Sequence, residues 1–268
     1  MGPRHQQLAK RTRSRRLTIS TTMHRRPPER AFLFGIHPVL EALHEGKSLH
    51  RVLFLKGKQT EELSEILSTC RSMSIPAQAV PKERLDRVTR KNHQGVVAFL
   101  SPIEFQPLDE VVMAAFERGE DPLMLALDGV TDVRNLGAIA RTAECFGVTA
   151  LVVPSTGSAP VNEDAIKSSA GALLRIPMCR VPSMSRAMKG LSLQGLTLIG
   201  LSEKAETPVG RLNLEGPACL VVGDEHGGIS AEVLALCTSM AHIPMRGKTG
   251  SLNVGVATGV ALYALHNA

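Results

Sequence analysis

Leu127-Asp128-Gly129-Val130-Thr131-Asp132-Val133-Arg134-Asn135-Leu136-Gly137-Ala138-Ile139-Ala140-Arg141 runs from the end of an apolar strand, through a polar turn, into the head of a helix. The same alternation recurs outward from this stretch. Strands are predicted at residues 123–127, 150–153, 196–201, 219–222 and 241–243, with helices starting near Leu136, Glu163, Ser185, Ser230 and Leu252. Regular strand–helix alternation argues for a mostly parallel sheet covered by helices on both faces. Ligands of such sheets sit beyond the carboxyl ends of the strands. Chemistry is therefore expected just after Leu127, Leu201, Val222 and Ile243. In the opening stretch Asn135 stands where an N-cap is expected, with Arg141 one to two turns into the helix. On its own, a cap plus a surface arginine explains this spacing equally well.

Two further stretches follow strands and are rich in unusual residues. Leu220-Val221-Val222-Gly223-Asp224-Glu225-His226-Gly227-Gly228-Ile229 runs a strand into a glycine-rich, acidic turn. Glycines there permit positive φ and close approach of the backbone to a ligand. The two acids argue against a phosphate, which they would repel. The other stretch, Ile243 to Ala261, contains Arg246-Gly247-Lys248-Thr249-Gly250-Ser251-Leu252-Asn253-Val254-Gly255. Ser251 reads as an N-cap, Asn253 as a polar residue at the head of an apolar helix, and Gly255, Ala257 and Gly259 as a surface for close packing. A tight turn and a capped core helix would account for most of this, but they give Asn253 no role.

Commoner nucleotide motifs are excluded. A dinucleotide fingerprint needs G-x-G, and no two of the 23 glycines are two positions apart. Gly247-Lys248-Thr249 imitates the end of a P-loop, but the glycine required five positions earlier is His242. The five cysteines form no C-x-x-C pair and no zinc spacing with histidine. They predict buried thiols in a reducing compartment, without a metal site. No apolar run approaches the ~18 residues that span a bilayer, so no membrane partner is expected.

Toward the amino terminus, residues 31–101 form a smaller α/β pattern, and residues 102–108 read as a linker to a domain of residues 109–268. Within the smaller pattern, residues 82–91 are predicted as a basic helix followed by a polar turn. Arg90, Lys91, His93 and Gln94 are its candidate RNA contacts. Charge is concentrated further upstream. Nine of the 31 Lys/Arg and one of the 25 acids lie in residues 1–30, a local net of +8 that leaves −2 for the remaining 238 residues. Residues 1–30 read as a basic disordered arm. Their Arg/Ser/Thr-rich composition also fits an organelle transit peptide, and Met23 is a second possible start. With one Tyr, seven Phe and no Trp, the chain has few platforms for base stacking. Recognition of RNA shape or backbone is the better expectation.

In order and spacing, the three stretches closely resemble the signature motifs of the SpoU (TrmH-like) branch of the SPOUT RNA 2′-O-ribose methyltransferases. Phe34-Gly35-Ile36-His37-Pro38-Val39 and His93-Gln94-Gly95-Val96-Val97-Ala98 resemble the L30e-like RNA-binding domain that precedes the catalytic domain in members acting on large-subunit ribosomal RNA. The resemblance implies an L30e-like α/β domain followed by a SPOUT α/β domain with a C-terminal trefoil knot. It implies S-adenosylmethionine as cofactor, contacted by Gly223, Ile243 and Leu252. It also implies Asn135, Arg141, Glu225, Ser251 and Asn253 at the family's conserved polar positions, a homodimer with active sites near its interface, and a structured RNA, most naturally a guanosine of 23S-type ribosomal RNA, in a bacterial cytoplasm. The sequence departs from the family pattern at Asp224, where Ala or Ser is usual, and at Gly255, where Ser is usual.

A ribose hydroxyl must lose its proton as the methyl group arrives. The family proposal makes the arginine at position 141 the base. Free arginine has a pKa above ~12, so binding of RNA phosphate and stabilisation of the developing alkoxide is an equal expectation for Arg141. Glu225 is expected to hold Arg141 or Asn135 in place. Three alternatives stand beside this reading: a tRNA 2′-O-methyltransferase, a ribosome-protecting resistance methylase, and an RNA-binding protein without catalysis.

Overall fold

The computed structural model describes residues 32–212, 215–225 and 227–266. The arm expected at residues 1–30 lies outside the described residues.

The first domain contains β1 (Phe32–Phe34), α1 (Ile36–His44), β2 (Leu49–Leu55), α2 (Glu61–Ser72), β3 (Ala77–Val80), α3 (Lys82–Asp86) and β4 (Val96–Leu100). Its sheet has the order β1-β4-β2-β3, with β4 antiparallel to both neighbours and β3 parallel to β2. Alternate residues of the strands supply two small cores. Val52, Val96 and Ala98 meet α1 and α2 through Val39, Leu43, Leu63 and Ile66. Leu53, Val97 and Phe99 turn to the other face, against Leu85 of α3. The expected basic helix ends at Asp86 rather than at Lys91. Beyond it the expected polar turn is present: Gln94 and Gly95 both have positive φ, a conformation that belongs to turns and not to helices.

The second domain contains α4 (Leu108–Glu117), β5 (Leu123–Asp128), α5 (Val133–Cys145), β6 (Ala150–Pro154), α6 (Glu163–Ser168), β7 (Met178–Val181), α7 (Met184–Leu193), β8 (Thr197–Leu201), β9 (Thr207–Pro208), β10 (Ala218–Gly223), α8 (Ala231–Leu234), β11 (Ser239–His242) and α9 (Val254–His266). The sheet order is β7-β6-β5-β10-β8-β11-β9, and every pairing is parallel. Period-2 alternation divides the core as a parallel sheet requires. Leu125, Leu127, Leu151 and Val222 face α5 and α9. Met124, Ala126, Val152 and Val221 face α4, α7 and α8.

Two expected helix starts are moved. Asp132, not Asn135, caps α5: its carboxylate accepts the Arg134 and Asn135 backbone N–H groups. Those bonds, Asn135's first, hold its carboxyl below the ordinary aspartate value. Asn253, not Ser251, caps α9, accepting from the N–H groups of Gly255 and Val256. In both places the observed cap is another cap-competent residue, three positions from Asn135 and two from Ser251, and composition alone does not choose between them.

The expected linker is part of the fold. Ile103 is buried in the core of the second domain. Phe105 bridges to Met178, and the Gln106 N–H bonds to the Met178 carbonyl. The segment therefore covers the outer edge of β7, which would otherwise present unpaired backbone groups. The thiols also differ from expectation at two positions. Cys70, Cys179 and Cys219 are buried, Cys237 is half-buried, and Cys145 is exposed on α5. Burial pushes the Cys70 and Cys237 thiols up to about 11 and that of Cys179 to about 12, so these three stay protonated and unreactive at neutral pH. No described helix is long and apolar enough to cross a membrane.

Candidate active site

All seven parallel strands point their carboxyl ends to one side of the sheet. There the loops after β8, β10 and β11 enclose a cavity of about 440 Å³. Gly223, Ile243 and Leu252 all line it: Gly223 from the end of β10, and Ile243 and Leu252 from the two ends of the loop between β11 and α9. Gly223 ends β10, and a Cβ there would collide with the backbone of Gly228 and Ile229. Only glycine lets the acidic turn fold back so tightly. Asp224 secures that turn by accepting from the Gly227 N–H and by exchanging two backbone bonds with Gly228.

Leu201, Val222, Ile243, Leu252 and Val254 make the apolar walls. The charged lining is Glu203, Asp224 and Glu225 against Lys204. An excess of carboxylates over cations favours a ligand that carries positive charge and disfavours a phosphate. Glu203 and Lys204 were not singled out in the sequence, although they follow Leu201, one of the strand ends at which ligand contacts were expected.

At the edge of this cavity, three side chains from distant stretches share hydrogen bonds. Glu225 Oε1 accepts from Asn135 Nδ2 at 2.7 Å and from Asn253 Nδ2 at 2.8 Å. Asn253 Nδ2 also donates to Asn135 Oδ1 at 3.0 Å. The caps of α5 and α9 make this possible. Asp132 starts α5 so that Asn135 falls in its first turn, and Asn253 uses its Oδ1 on the helix and its Nδ2 on the other two residues. Each amide is thereby held in one orientation. Ser251 is exposed on the cavity lining.

Arg141 stands apart from this group. It lies six residues after Asn135 on α5, about 9 Å along the axis at 1.5 Å per residue. It is exposed, does not line the cavity, and makes no hydrogen bond or ion pair with a described residue. Glu225 therefore holds Asn135 and not Arg141. Arg141 shares its side of the molecule with α9, whose Gly255 and Gly259 face Ala138 and Thr142 of α5. The outer surface of α9 carries Val256, Val260 and Tyr263 at 54%, 39% and 62% exposure. That is an apolar stripe at helical spacing.

In the first domain, the four candidate RNA contacts divide. Arg90 and Lys91 are exposed, with the Lys91 ammonium 5.8 Å from the Phe34 ring centre. His93 is buried: its Nδ1 accepts the Gly95 N–H, which leaves Nε2 to donate to Asp86 Oδ1 at 2.9 Å. Gln94 Oε1 accepts the Ile36 N–H at the start of α1, and its carbonyl accepts from the Lys58 ammonium. His93 and Gln94 thus build the turn that presents Arg90 and Lys91. Among the described residues, no group of three His, Cys, Asp or Glu could hold a metal ion.

Residues 122–263 match the sequence model of the SpoU rRNA Methylase family, and residues 32–106 match the RNA 2′-O ribose methyltransferase substrate-binding domain. The 23S rRNA (guanosine-2′-O-)-methyltransferase RlmB of Pseudomonas aeruginosa is 36% identical over 236 residues, covering 87% of this chain and 94% of that protein. The putative TrmH family tRNA/rRNA methyltransferase YacO of Bacillus subtilis is 30% identical over 235 residues, covering 88% and 94%. Among solved structures, the SpoU methyltransferase AviRb from Streptomyces viridochromogenes, in complex with the cofactor AdoMet, superposes with a TM-score of 0.56 at 26% identity, covering 88% of this chain and 89% of that one.

Proposed function

Because the chain belongs to the SpoU rRNA methylase family, we propose that it transfers a methyl group from S-adenosylmethionine to the 2′-hydroxyl of a guanosine in large-subunit ribosomal RNA. The observation that carries this reading is the Asn135–Glu225–Asn253 cluster at the edge of a cavity that fits the cofactor. Its apolar walls suit an adenine face, the Gly223 and Ile243 backbones offer polar groups to the adenine edge, and the surplus of carboxylates suits a sulfonium. When bound there, the cofactor supplies an electrophilic methyl group. The ribosomal and guanosine specificity rests on the RlmB relatives.

The protein's own residues position and polarise the acceptor. Asn135 and Asn253, locked by Glu225, form a rigid polar edge against which a ribose is oriented, and Ser251 adds a hydroxyl on the cavity side. Positioning of this kind lowers a barrier by roughly 7 kcal/mol or more. The part of Arg141 is to hold the RNA phosphate and to stabilise the developing alkoxide while the hydroxyl proton passes to solvent water and the methyl group leaves the sulfonium for the ribose oxygen.

A second copy of the chain completes the site in this reading. The stripe Val256–Val260–Tyr263 is an exposed apolar surface beside Arg141, and Arg141 makes no hydrogen bond or ion pair with a described residue. Docking two copies through α9 buries the stripe and carries Arg141 toward the neighbouring cavity. The C-terminal knot belongs to the same reading, as does a cytoplasmic location, which the bacterial relatives support. Mapping 2′-O-methyl marks on total RNA, with and without the gene, tests the function directly. A lost mark in large-subunit rRNA supports it. A lost tRNA mark favours the tRNA alternative, and no lost mark favours binding without catalysis.

A further inference from the structure

Two domains on one chain move against each other unless the joint between them is held. Here the joint is built around one side chain. Arg180 lies on β7, the edge strand of the second domain. Its Nη1 donates to two carbonyls of the first domain, Leu49 at 3.0 Å and His50 at 3.4 Å. These open β2, where the β2–β4 register shifts between Leu49 and Arg51. A bulge of that kind re-aims backbone groups outward. The guanidinium plane sits 4.1 Å from the centre of the Phe105 ring, on the segment that joins the domains. One cation thus ties together the first domain, the connection and the second domain. Burial lowers its pKa to about 10, so it still carries its charge at neutral pH, and its bonds to the carbonyls are charge-assisted.

We propose that Arg180 is a positioning residue: it fixes the angle between the RNA-binding domain and the cavity, and so decides which ribose of the bound RNA reaches the methyl donor. The inference rests on the RNA methyltransferase reading above. An RNA held at Arg90 and Lys91 reaches the cavity at a defined nucleotide only if the two surfaces are rigidly related. A hinge at the joint would let neighbouring riboses compete. Lysine at this position keeps the charge, but it has neither the planar fork nor the stacking face.

The test uses the full chain with Arg180→Ala, Arg180→Lys and Phe105→Leu. Each variant is assayed in single turnover on two RNAs: a fragment of the mapped target large enough to touch both domains, and a short oligonucleotide around the target ribose that touches only the cavity. SAM affinity serves as the folding control. Where Arg180→Ala fails it, the other two variants carry the comparison. The expected result for Arg180→Ala is a loss of about a hundredfold on the large fragment, the size of effect that a 1 Å misplacement produces. Its methyl marks should spread to adjacent riboses, with the oligonucleotide rate and SAM affinity unchanged. Arg180→Lys should restore only part of the loss. Equal losses on both RNAs, or no loss on either, would overturn the proposal. Small-angle scattering reads the joint without any assay: Arg180→Ala should broaden the distribution of interdomain distances, and a profile identical to wild type sinks the inference. Should the wild-type chain methylate neither RNA, the proposed function fails and the role assigned to Arg180 in choosing a ribose falls with it. The scattering result then speaks for the joint alone.

Discussion

Asn253 uses one amide for two purposes, and substitution can separate them. Its oxygen caps α9, and its nitrogen binds Glu225 and Asn135. Serine is as good a cap as asparagine but has no amide to reach Glu225. Asn253→Ser should therefore leave stability within about 0.5 kcal/mol of wild type, while slowing single-turnover methylation by at least about tenfold, or roughly 1.4 kcal/mol of barrier. Asn253→Ala should lose the same activity and, in addition, about 1 kcal/mol of stability. Thermal melts and turnover on the same two proteins check this, and equal melting temperatures would show that the cap contributes nothing. The three residues concerned are far apart in the chain, Asn135 lying 90 residues from Glu225 and 118 from Asn253. No periodicity or local spacing links them. Only the resemblance of three motifs in register placed them together, and it did not indicate that Glu225 would bind both amides while leaving Arg141 outside.

Among elements, those with strong patterns were legible and those without were not. Strand β10, with Cys219-Leu220-Val221-Val222, and strand β6, with Leu151-Val152-Val153, are continuous apolar runs, and both stand where the sequence puts them. Strand β7 was missed: Met178-Cys179-Arg180-Val181 holds one β-branched residue and a charge, and its place is set by pairing with β6 and with the connecting segment. Helix α4 was missed because Pro107 marks its N-cap rather than the end of a linker. Helix contacts also explain which glycines tolerate change. A Cβ on Gly137 of α5 would collide with Ser168 Oγ and lie 2.9 Å from the Ser168 carbonyl carbon. Gly137→Ala should destabilise by about 1–3 kcal/mol through overpacking. On Gly259 of α9, the nearest atom would be Thr142 Cγ2 at an ordinary 3.4 Å. Alanine is the better helix former by roughly 0.8–1 kcal/mol, so Gly259→Ala should be neutral or stabilising. Denaturant titration of both variants gives the comparison, and a destabilised Gly259→Ala would show that α5 and α9 cannot yield even slightly.

The chain's surplus of positive charge and its exposed apolar stripe belong to different stretches of the sequence. If α9 is a dimer face, Tyr263→Lys should convert the protein to a monomer in light scattering, with lost methylation and SAM still bound. If Arg141 serves the neighbouring cavity, Arg141→Ala and Glu225→Ala should each be inactive alone and recover partial activity when mixed and allowed to exchange. No recovery would place Arg141 back in its own chain's site. Residues 1–30 carry more than the entire net charge of the protein. Deleting them should weaken RNA binding and flatten the dependence of its affinity on salt, leaving the methylated nucleotide unchanged. A filter-binding series at several salt concentrations measures that slope, and an unchanged slope would show that the arm does not touch RNA.

The segment from Ser101 to Pro107 also bears on how such a protein can be recombined. Ile103 fills a place in the second domain's core, and Gln106 covers the edge of β7. A chimaera that grafts a new recognition module onto this catalytic half must keep those residues with the recipient and cut upstream of Ser101. A cut at residue 108, where a linker would seem to end, exports a piece of the recipient's core with the donor and leaves an open sheet edge for other chains to find. The seam at which specificity modules can be exchanged lies at the end of β4, between Leu100 and Ser101, not further along the connection.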